Sequence, residues 1–588
     1  MEFLDRRLQL RQAFARRFYQ EQSFPSGLNL AFPAINRSYS ARENVDAGSE
    51  TLSHDNARNP ASFGSTGTSH QNQYFVSQRI LLPRYSFSIR ADQNCLLLAG
   101  QATILRRRDN YSIRKMTAAI KFGTSGWRAI IAEDFTFANV RLAAEAIAGH
   151  VCSKKTKPTL LVGHDTRFFG PEFAFAAAQI LRERGIHVLL CEGATPTPAI
   201  AYEILRRKAD GAINFTASHN PAEYQGLKFS GPDGGPALPE VTHDIETRAS
   251  KIGERAPAKT NDDAFEKFNP RDMYLERIAQ LVNFKAIRAA KLSVVVDALH
   301  GCGAGYLDTA LASHGVDVQA LRTGRDVLFD GSEPDVSEEN LLPLRDAVLA
   351  KKAAVGLSTD GDADRFGILD ADGTWVQPNH ILALLYDYIV ESRGWKMPAA
   401  RSVATSHLMD AVAHVHGTKV FQTPVGFKYI GELIQQDKIA MGGEESAGMS
   451  IRGHVPEKDG ILACLLVAEM VAVRRASIAE QLRALFKRVG REFWPLRTNL
   501  HLTESVKSRT VVRLKTDFST FLGRRVKQME RTDGLKMEFD DGSWVLLRLS
   551  GTEPLMRVYT EATTIEESSR MAGETQAWVV DVAQEAKA

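Results

Sequence analysis

Apolar runs alternate with helical patterns along most of the chain. The apolar run at 159–167 is followed by a helical pattern at 171–185 and a second apolar run at 186–193. The same order recurs over 292–324 and, in a shorter form that begins with the run SVATSHLM, over 402–426. Such alternation predicts parallel sheets covered on both faces. Three copies predict three similar α/β domains, although any α/β protein shows some alternation of this kind.

The C-terminal part has a different pattern. Asp541-Gly542 separates two apolar runs, which is a hairpin signal, and a helical stretch ends the chain. We therefore predict three α/β domains with mixed or parallel sheets and a smaller C-terminal α+β domain. The predicted boundaries are 116–255, 256–370, 371–490 and 491–588.

The longest apolar run, ILACLLVAEMVAV, is too short to cross a membrane. It covers 461–473 and contains Glu469, whereas a span needs about 18 or more apolar residues. We interpret it as a buried helix and expect no membrane partner.

Composition places the chain among globular proteins. Its 588 residues are 44% hydrophobic and 24% charged, and the length allows about three to five domains. A net charge of +3 gives no indication of a nucleic-acid partner. The five cysteines show no paired spacing, which favours a reducing compartment. We expect a cytoplasmic protein.

The first 115 residues differ from the rest. They hold fifteen Arg, one Lys and nine acidic residues, a net charge of +7, so the remainder carries −4. Long Ser/Asn/Gln-rich stretches there bury little apolar surface. The segment is a disordered tail, a targeting peptide or an over-extended start that precedes a true initiator at Met116. We favour the last, because regular patterning begins just after Met116 and because acidic residues near the N-terminus are unusual for a transit peptide.

The first loop with chemical potential follows the predicted strand AINFT. It reads Thr216-Ala217-Ser218-His219-Asn220-Pro221. A serine at a strand end, beside a histidine, is placed to act as a nucleophile or phosphate carrier. An ordinary polar turn has the same residue types, so the loop alone leaves both interpretations open.

The second loop follows the predicted strand AVGLST and carries three carboxylates at alternate positions, Asp360, Asp362 and Asp364. They can converge on one hard cation through oxygen ligands. An EF-hand is excluded, because Arg365 and Ala371 stand where Gly and Glu are required. A nucleophilic aspartate pair or an acidic surface turn are the alternatives. We favour the cation, because three adjacent carboxylates repel one another unless they are neutralised.

Two further loops offer polar groups to a ligand. Residues 442–449, GGEESAGM, present carboxylates and a hydroxyl between glycines, or else begin a helix with acidic residues near its N-terminus. Residues 548–554, RLSGTEP, combine Arg548 with backbone N–H groups and two hydroxyls, which suits an anion, or form a polar turn. No GxxxxGK[ST] motif is present, so a P-loop nucleotide site is not expected.

The four loops in this order, with FGTSGWR at 122–128 and GHVPEKDG at 453–460, resemble the α-D-phosphohexomutases. That family includes phosphoglucomutases, phosphomannomutases and phosphoglucosamine mutases. The resemblance runs from about Ile120 to the C-terminus, and it implies the same domain series arranged around a central cleft.

The resemblance also implies roles for residues. Ser218 would be the phosphoserine, and Asp360, Asp362 and Asp364 would hold Mg²⁺, with the phosphate of Ser218 as a further ligand. The implied catalytic residues besides Ser218 are Lys228, which lies in GLKF and would act as general acid or base, Arg128 as a second candidate for that role, His219, and Arg365 near the transferring phosphate. The implied substrate-binding residues are Glu444 and Ser446 for sugar hydroxyls, Gly426, Phe427 and Lys458 in matching segments, and Arg548, Ser550, Gly551, Thr552 and Arg557 for the non-reacting phosphate.

The implied reaction interconverts hexose 1-phosphate and hexose 6-phosphate through a hexose 1,6-bisphosphate, which also serves as activator. The partners would be small sugar phosphates, and the protein would be a monomer or homodimer. The loop GEESAGM resembles the GEESGG form of phosphoglucomutases, from which Ala447 departs. Glucose is therefore favoured, with phosphomannomutase or dual activity as the alternative. An inactive sugar-phosphate-binding paralogue is the alternative outside enzymes.

Overall fold

The computed structural model describes residues 120–123, 125–253, 265–549 and 555–584. The predictions for residues 1–115 lie outside the described residues, as do those for Ser550, Gly551 and Thr552 in the fourth loop. Among the described residues, no helix combines the length and apolar character needed to span a membrane.

The first domain surrounds a sheet whose central strands are parallel. Its elements are β1 (Trp127–Ile130), α1 (Phe137–Cys152), β2 (Thr159–His164), α2 (Gly170–Glu183), β3 (His187–Cys191), α3 (Thr197–Arg207), β4 (Ala212–Phe215), β5 (Tyr224–Ser230), α4 (Pro239–Lys251) and β6 (Glu266–Phe268). The strand order is β1-β5-β4-β2-β3-β6, with β5 antiparallel to β4 and to β1. Strands β2 and β4 are almost wholly buried because helices cover both faces.

The second domain repeats this arrangement in a smaller sheet. Its elements are α5 (Arg271–Leu281), α6 (Phe284–Ala289), β7 (Ser293–Asp297), α7 (Leu307–Ser313), β8 (Asp317–Leu321), a 3₁₀ turn (Phe329–Gly331), α8 (Leu342–Lys351), β9 (Val355–Thr359) and β10 (Phe366–Asp370). The order is β10-β9-β7-β8, and β10 is the antiparallel strand.

The third domain repeats it again. Its elements are α9 (Pro378–Arg393), β11 (Ala399–Ser402), α10 (Leu408–Val415), β12 (Val420–Thr423), α11 (Phe427–Gln435), β13 (Met441–Glu444), β14 (Gly448–Ile451), α12 (Gly460–Arg474) and α13 (Ile478–Val489). The order is β12-β11-β13-β14, with β14 antiparallel. Helix α12 contains the apolar run 461–473, and it is buried from Gly460 to Ala472 against both the second and the third domain.

The fourth domain is an antiparallel sheet with two helices. Its elements are β15 (Trp494–His501), α14 (Glu504–Arg513), β16 (Thr520–Phe521), β17 (Arg524–Glu530), β18 (Leu535–Phe539), β19 (Trp544–Leu549), β20 (Leu555–Ala562) and α15 (Ile565–Gln584). The order is β15-β20-β19-β18-β17-β16. A small apolar cluster joins this sheet to the third domain through Trp544, Leu546 and Tyr559 against Val403 and Ala404.

The three α/β sheets share one core order, β5-β4-β2-β3, β10-β9-β7-β8 and β14-β13-β11-β12. In each, the functional loop connects a parallel strand to the antiparallel strand that follows it. The predicted fold class, three similar α/β domains and a smaller C-terminal α+β domain, is confirmed.

One local prediction was wrong, and one alternative interpretation is excluded. The run 402–409 is not a strand: β11 ends at Ser402, and a polar turn follows in which the hydroxyls of Ser402 and Thr405 are 2.9 Å apart. Residues 442–449 do not begin a helix. They form the β13–β14 hairpin, because the backbone groups of Gly442 and Gly443 pair with β14.

Candidate active site

The serine loop lies between β4 and β5 and holds Ser218 in an unusual backbone conformation. Ser218 has φ +53°, in the left-handed region that costs a residue with a side chain about 1–3 kcal/mol. Its backbone N–H donates to the hydroxyl of Thr216 at 2.8 Å. The strained conformation therefore has local support on its N–H side.

Arg167 supports the carbonyl side of the same loop. This buried residue follows β2, and its guanidinium donates to four backbone carbonyls in or beside the loop, those of Ser218 (2.6 Å), Asn220 (2.5 Å), Pro221 (2.7 Å) and Tyr224 (3.1 Å). Buried Asp165 accepts from the Nε of Arg167 at 3.2 Å and so offsets its charge. One side chain thus fixes the whole β4–β5 connection.

The serine loop meets the aspartate loop at close range. The hydroxyl of Ser218 donates to Oδ2 of Asp360 at 2.7 Å. Gly361 packs so tightly on the serine loop that a Cβ there would lie 2.5 Å from the carbonyl oxygen of Ser218. The first and second domains therefore place a hydroxyl and a carboxylate in direct contact.

The three aspartates converge as a cation site requires. Asp360, Asp362 and Asp364 are buried, and each offers an oxygen within 4.8 Å of the others. One oxygen each of Asp362 and Asp364 is buried without a hydrogen-bond partner. Burial, and then the neighbouring carboxylates, raise the pKa of Asp360 well above its usual range. Hard carboxylate oxygens in this arrangement fit a Mg²⁺ ion.

Two lysines contact the same carboxylates. Lys228 on β5 lies with its Nζ 2.5 Å from Asp362 and 2.8 Å from Asp364. Lys458, just before α12, lies 2.9 Å from Asp364 and 3.0 Å from Glu457. Burial would raise the pKa of Asp364, but these two lysines lower it on balance. Residues from three domains thus meet at one carboxylate.

Further basic groups surround Ser218. Arg128 on β1 donates to the side-chain oxygen of Asn220 at 2.5 Å, and burial followed by repulsion from Arg365 lowers its pKa to about 10. Nδ1 of His219 lies 3.4 Å from the hydroxyl of Ser218, and burial, then Arg365 and Arg128, hold the pKa of His219 well below its usual range. The backbone N–H of Arg365 donates to Asp360 at 3.0 Å.

The hairpin loop of the third domain lies next to this cluster. Oε1 of Glu444 accepts from the backbone N–H of Gly426 at 2.6 Å, and Nζ of Lys458 lies 5.7 Å from the ring centre of Phe427. Burial, and then Glu445, raise the pKa of Glu444 to about 7. Ser446 stands half-buried in the turn. Lys458 therefore connects the predicted sugar-binding residues to the aspartates.

Ala447 completes that turn in a left-handed conformation, with φ +71°. Its N–H donates to the carbonyl of Glu444 at 3.0 Å, and its carbonyl accepts from Phe366 at 3.1 Å. Ala447 stands where the GEESGG form of phosphoglucomutases has a glycine. The backbone shows why glycine suits it, because glycine adopts this conformation without strain.

The basic residues of the fourth domain form a separate group. Arg548 on β19 and Arg557 on β20 are register partners, and Arg497 on β15 shares their face of the sheet. Nε of Arg548 donates to Asp533 at 2.9 Å. Within the described residues, no contact joins Arg548 to Ser218 or the aspartates. The remaining predicted phosphate ligands lie in 550–554, outside the described residues.

Comparison with known proteins agrees with this arrangement. Profiles described as phosphoglucomutase/phosphomannomutase alpha/beta/alpha domains I, II and III match residues 119–256, 272–373 and 377–489, and the profile of the C-terminal domain matches 498–576. The chain belongs to the phosphoglucomutase/phosphomannomutase family. Members of this family are phosphohexomutases, which are isomerases, so the predicted enzyme class is confirmed.

Individual members of the family differ in their names. A phosphoglucomutase/phosphomannomutase of Thermococcus kodakarensis is 31% identical over 76% of this chain and 95% of its own. A probable phosphoglucosamine mutase of Methanosphaera stadtmanae is 30% identical over 76% and 95%. The crystal structure of a putative phosphomannomutase from Thermus thermophilus superposes with a TM-score of 0.70, at 31% identity over 79% of this chain and all of its own. These names therefore establish the family but not the sugar substrate.

Three residues of this family member were not predicted as part of the site. Arg167 ends the run TLLVGHDTR, where only its position after a strand could have drawn attention to it. Thr197, at the start of α3, donates its hydroxyl to Asp362 at 2.5 Å and accepts from Asn214 at 3.0 Å. Arg497 carries no motif and joins Arg548 only through strand register.

Proposed function

We propose that this enzyme interconverts glucose 1-phosphate and glucose 6-phosphate, with Ser218 as the phosphate carrier and glucose 1,6-bisphosphate as intermediate and activator. The contact that carries the proposal is the one between the Ser218 hydroxyl and Asp360 at 2.7 Å. This contact supports the proposal because the Ser218 hydroxyl is buried and conformationally restrained, and because it meets the first of three converging carboxylates, two of which Lys228 contacts.

Asp360, Asp362 and Asp364 would hold Mg²⁺, and a phosphate on Ser218 would be a further ligand. When bound, the ion would withdraw charge from the transferring phosphoryl group. The unpartnered buried oxygens of Asp362 and Asp364 support this assignment, because buried polar atoms otherwise find partners.

The protein's own groups would carry out the transfer. Phosphoryl transfer depends mainly on positioning and charge neutralisation. The bond between phosphorus and Ser218 Oγ breaks, and a bond forms from phosphorus to the free hydroxyl of the hexose phosphate. The hydroxyl proton passes to a base beside Ser218, and the Ser218 oxygen is left to accept a proton. Lys228, Arg128 and His219 are the candidates for these proton movements, because they lie around the serine and the aspartates.

The second half of the reaction reverses the first with the other phosphate. The bisphosphate turns around and returns its second phosphate to Ser218, which completes the net isomerisation. One site must therefore hold either non-reacting phosphate in turn. Arg548 and Arg557, with Ser550, Gly551 and Thr552, would form it. Arg pairs well with phosphate because its guanidinium donates two parallel hydrogen bonds.

The choice of glucose rests on the hairpin loop of the third domain. Glu444 and Ser446 would bind sugar hydroxyls, with Gly426, Phe427 and Lys458 beside them, and the sequence GEESAGM is closest to the phosphoglucomutase form. Mannose is the second candidate, because the two sugars differ only in the configuration at the 2-hydroxyl, where discrimination is modest.

The test compares kcat/KM for glucose, mannose and glucosamine 1-phosphates, with magnesium and trace glucose 1,6-bisphosphate. We expect glucose 1-phosphate to give the highest value. A higher value for either other sugar would overturn the choice of glucose and leave the mechanism standing.

The phosphate carrier has its own test. Ser218→Ala should lose nearly all turnover, whereas Ser250→Ala, an exposed serine on α4, should keep it. Turnover of Ser218→Ala at the wild-type rate would disprove the role of Ser218. Absence of turnover in the wild type with every sugar would favour the inactive binding paralogue.

A further inference from the structure

A cavity lies at the seam between the first and second domains. Its volume is about 180 Å³. One wall is the turn Gly193-Ala194-Thr195 between β3 and α3, a second is the start of α5 at Arg271, and a third is the segment from Ala304 to Tyr306. None of these residues belongs to the catalytic or substrate-binding set described above.

Tyr306 is the feature that points to a ligand. Its side chain is 5% exposed, and its ring packs edge-on against Tyr274 at 5.9 Å. Among the described residues, no hydrogen bond to its hydroxyl is seen, and the residue lines the cavity. A polar group on a side chain this deeply buried normally has a partner. Burial, with smaller effects from the neighbouring cysteines, raises the pKa of Tyr306, so the hydroxyl keeps its proton and acts as a donor.

The other groups around the cavity are also donors. The first turn of α5 directs its backbone N–H groups toward the start of the helix, where the helix dipole favours negative charge. Oδ1 of Asn269 accepts from the backbone N–H of Arg271 at 3.0 Å, which leaves the side-chain NH₂ of Asn269 for a ligand. Arg271 adds a guanidinium. Its neighbour Asp272, 3.4 Å from Nε, is 85% exposed and is therefore screened by water.

We propose that this cavity binds a small oxyanion, a phosphate or carboxylate group, between Arg271, Asn269 and Tyr306. The first and third walls lead to the aspartate loop. Thr197, two residues beyond Thr195, contacts Asp362 through its hydroxyl and through its backbone N–H, at 3.0 Å from the Asp362 carbonyl. Cys302, two residues before Ala304, donates its backbone N–H to the carbonyl of Gly361 at 3.0 Å.

Hydrogen exchange of the full chain, read by mass spectrometry, tests the proposal. Exchange is compared in chloride, inorganic phosphate and malonate at equal ionic strength. We expect one or both anions to slow exchange at 193–197 and 269–274 by about threefold or more. Phosphate alone would indicate a phosphate ligand, and malonate as well would indicate any compact dianion.

Two variants and a control complete the experiment. Arg271→Gln should abolish the protection and Tyr306→Phe should weaken it, whereas Arg288→Gln, which removes an exposed charge from α6, should keep it. Arg271 is itself exposed, so its substitution leaves the core intact. Equal exchange in all three salts, or unchanged protection in Arg271→Gln, would overturn the proposal. Anion binding at the catalytic site would appear in peptides around Ser218 and Asp360, so the two sites are read separately.

Discussion

Arg167 donates a 2.6 Å hydrogen bond from its guanidinium to the backbone carbonyl of Ser218, and so reaches from the end of β2 to the strained residue in the loop that follows β4, the neighbouring strand of the sheet. We expect Arg167→Lys to lower kcat about 100-fold, because one ammonium cannot hold four carbonyls and small misplacements of a nucleophile are costly. KM should change little.

Steady-state kinetics with Arg345→Lys, an exposed arginine on α8, as control provides the measurement. Thermal unfolding of both variants shows how much of the loss is structural. A full kcat in folded Arg167→Lys would show that the loop holds Ser218 without this side chain.

Thr197 should set the affinity for magnesium. Thr197→Val keeps the shape of the side chain but removes the hydroxyl that orients Asp362. Losing such a supporting contact typically weakens metal affinity about 10- to 100-fold. The magnesium concentration for half-maximal activity should rise by that factor, and kcat should recover at saturating magnesium. Thr242→Val, at a half-buried position on α4, should leave the titration unchanged. A magnesium titration of Thr197→Val that overlays the wild type would contradict the prediction.

Arg548 should act on substrate binding. Replacing it with Ala removes charge-assisted hydrogen bonds worth about 1.5–3 kcal/mol, so KM for the hexose phosphate should rise about 10- to 100-fold. Arg525→Ala, an exposed arginine in the same domain, is the matched control. If KM stays at the wild-type value, the fourth domain holds the phosphate through other residues.

Ala447 should lower the stability of the third domain. A left-handed conformation costs an alanine about 1–2 kcal/mol, and glycine removes this strain. Part of that gain is offset, because glycine loses more conformational entropy on folding than alanine does. We expect Ala447→Gly to raise the free energy of unfolding by about 0.5–1 kcal/mol in urea titrations. Ala411→Gly, within α10, should instead destabilise by about 1 kcal/mol. Destabilisation by both substitutions would show that the methyl group of Ala447 contributes more through packing than the strain costs.

Lys536 should make stability depend on pH. It is buried on β18 at the contact with the third domain, where its Nζ lies 3.0 Å from the carbonyl oxygen of Val403 and 2.8 Å from Nε2 of His407. Burial, and then Arg401, lower the pKa of Lys536 to about 7. The unfolded chain therefore binds a proton that the folded protein lacks between about pH 7 and the ordinary lysine pKa of about 10.4, and stability rises with pH across that window.

The slope attributable to Lys536 is at most about 1.4 kcal/mol per pH unit. Lys536→Met should remove it, whereas Lys527→Met, on the exposed side of β17, should retain it. Urea midpoints followed across this pH range provide the comparison. Parallel pH profiles for wild type and Lys536→Met would assign the slope to other groups.

The sequence predicted what lies within a single segment. The serine loop, the three aspartates and the basic loops are each continuous motifs that follow apolar strands, so their position at strand ends could be inferred. Strand β11 was predicted too far along the chain, because Val403 and Ala404 are apolar like the residues of a buried strand. In the structure they instead form the apolar contact with the fourth domain.

The supporting residues depend on contacts between distant segments. Arg167 is 51 positions from Ser218, and Thr197 is 165 positions from Asp362. Neither carries a signal beyond a polar residue after a strand or at a helix start. Register alone brings Arg497 next to Tyr559 and onto the face of Arg548. Such residues can be found only once the strand order is known.

The shared position of the functional loops has a consequence for how such enzymes change. In each α/β domain the loop is the turn of a hairpin, at 216–223, 360–365 and 445–447. Turns can be lengthened or replaced while the paired strands keep their register, because the sheet does not depend on them. The proposed nucleophile, cation and sugar sites thus each lie on a turn of one repeated scaffold, and we expect that substitutions in the third turn can change substrate specificity without disturbing the other two.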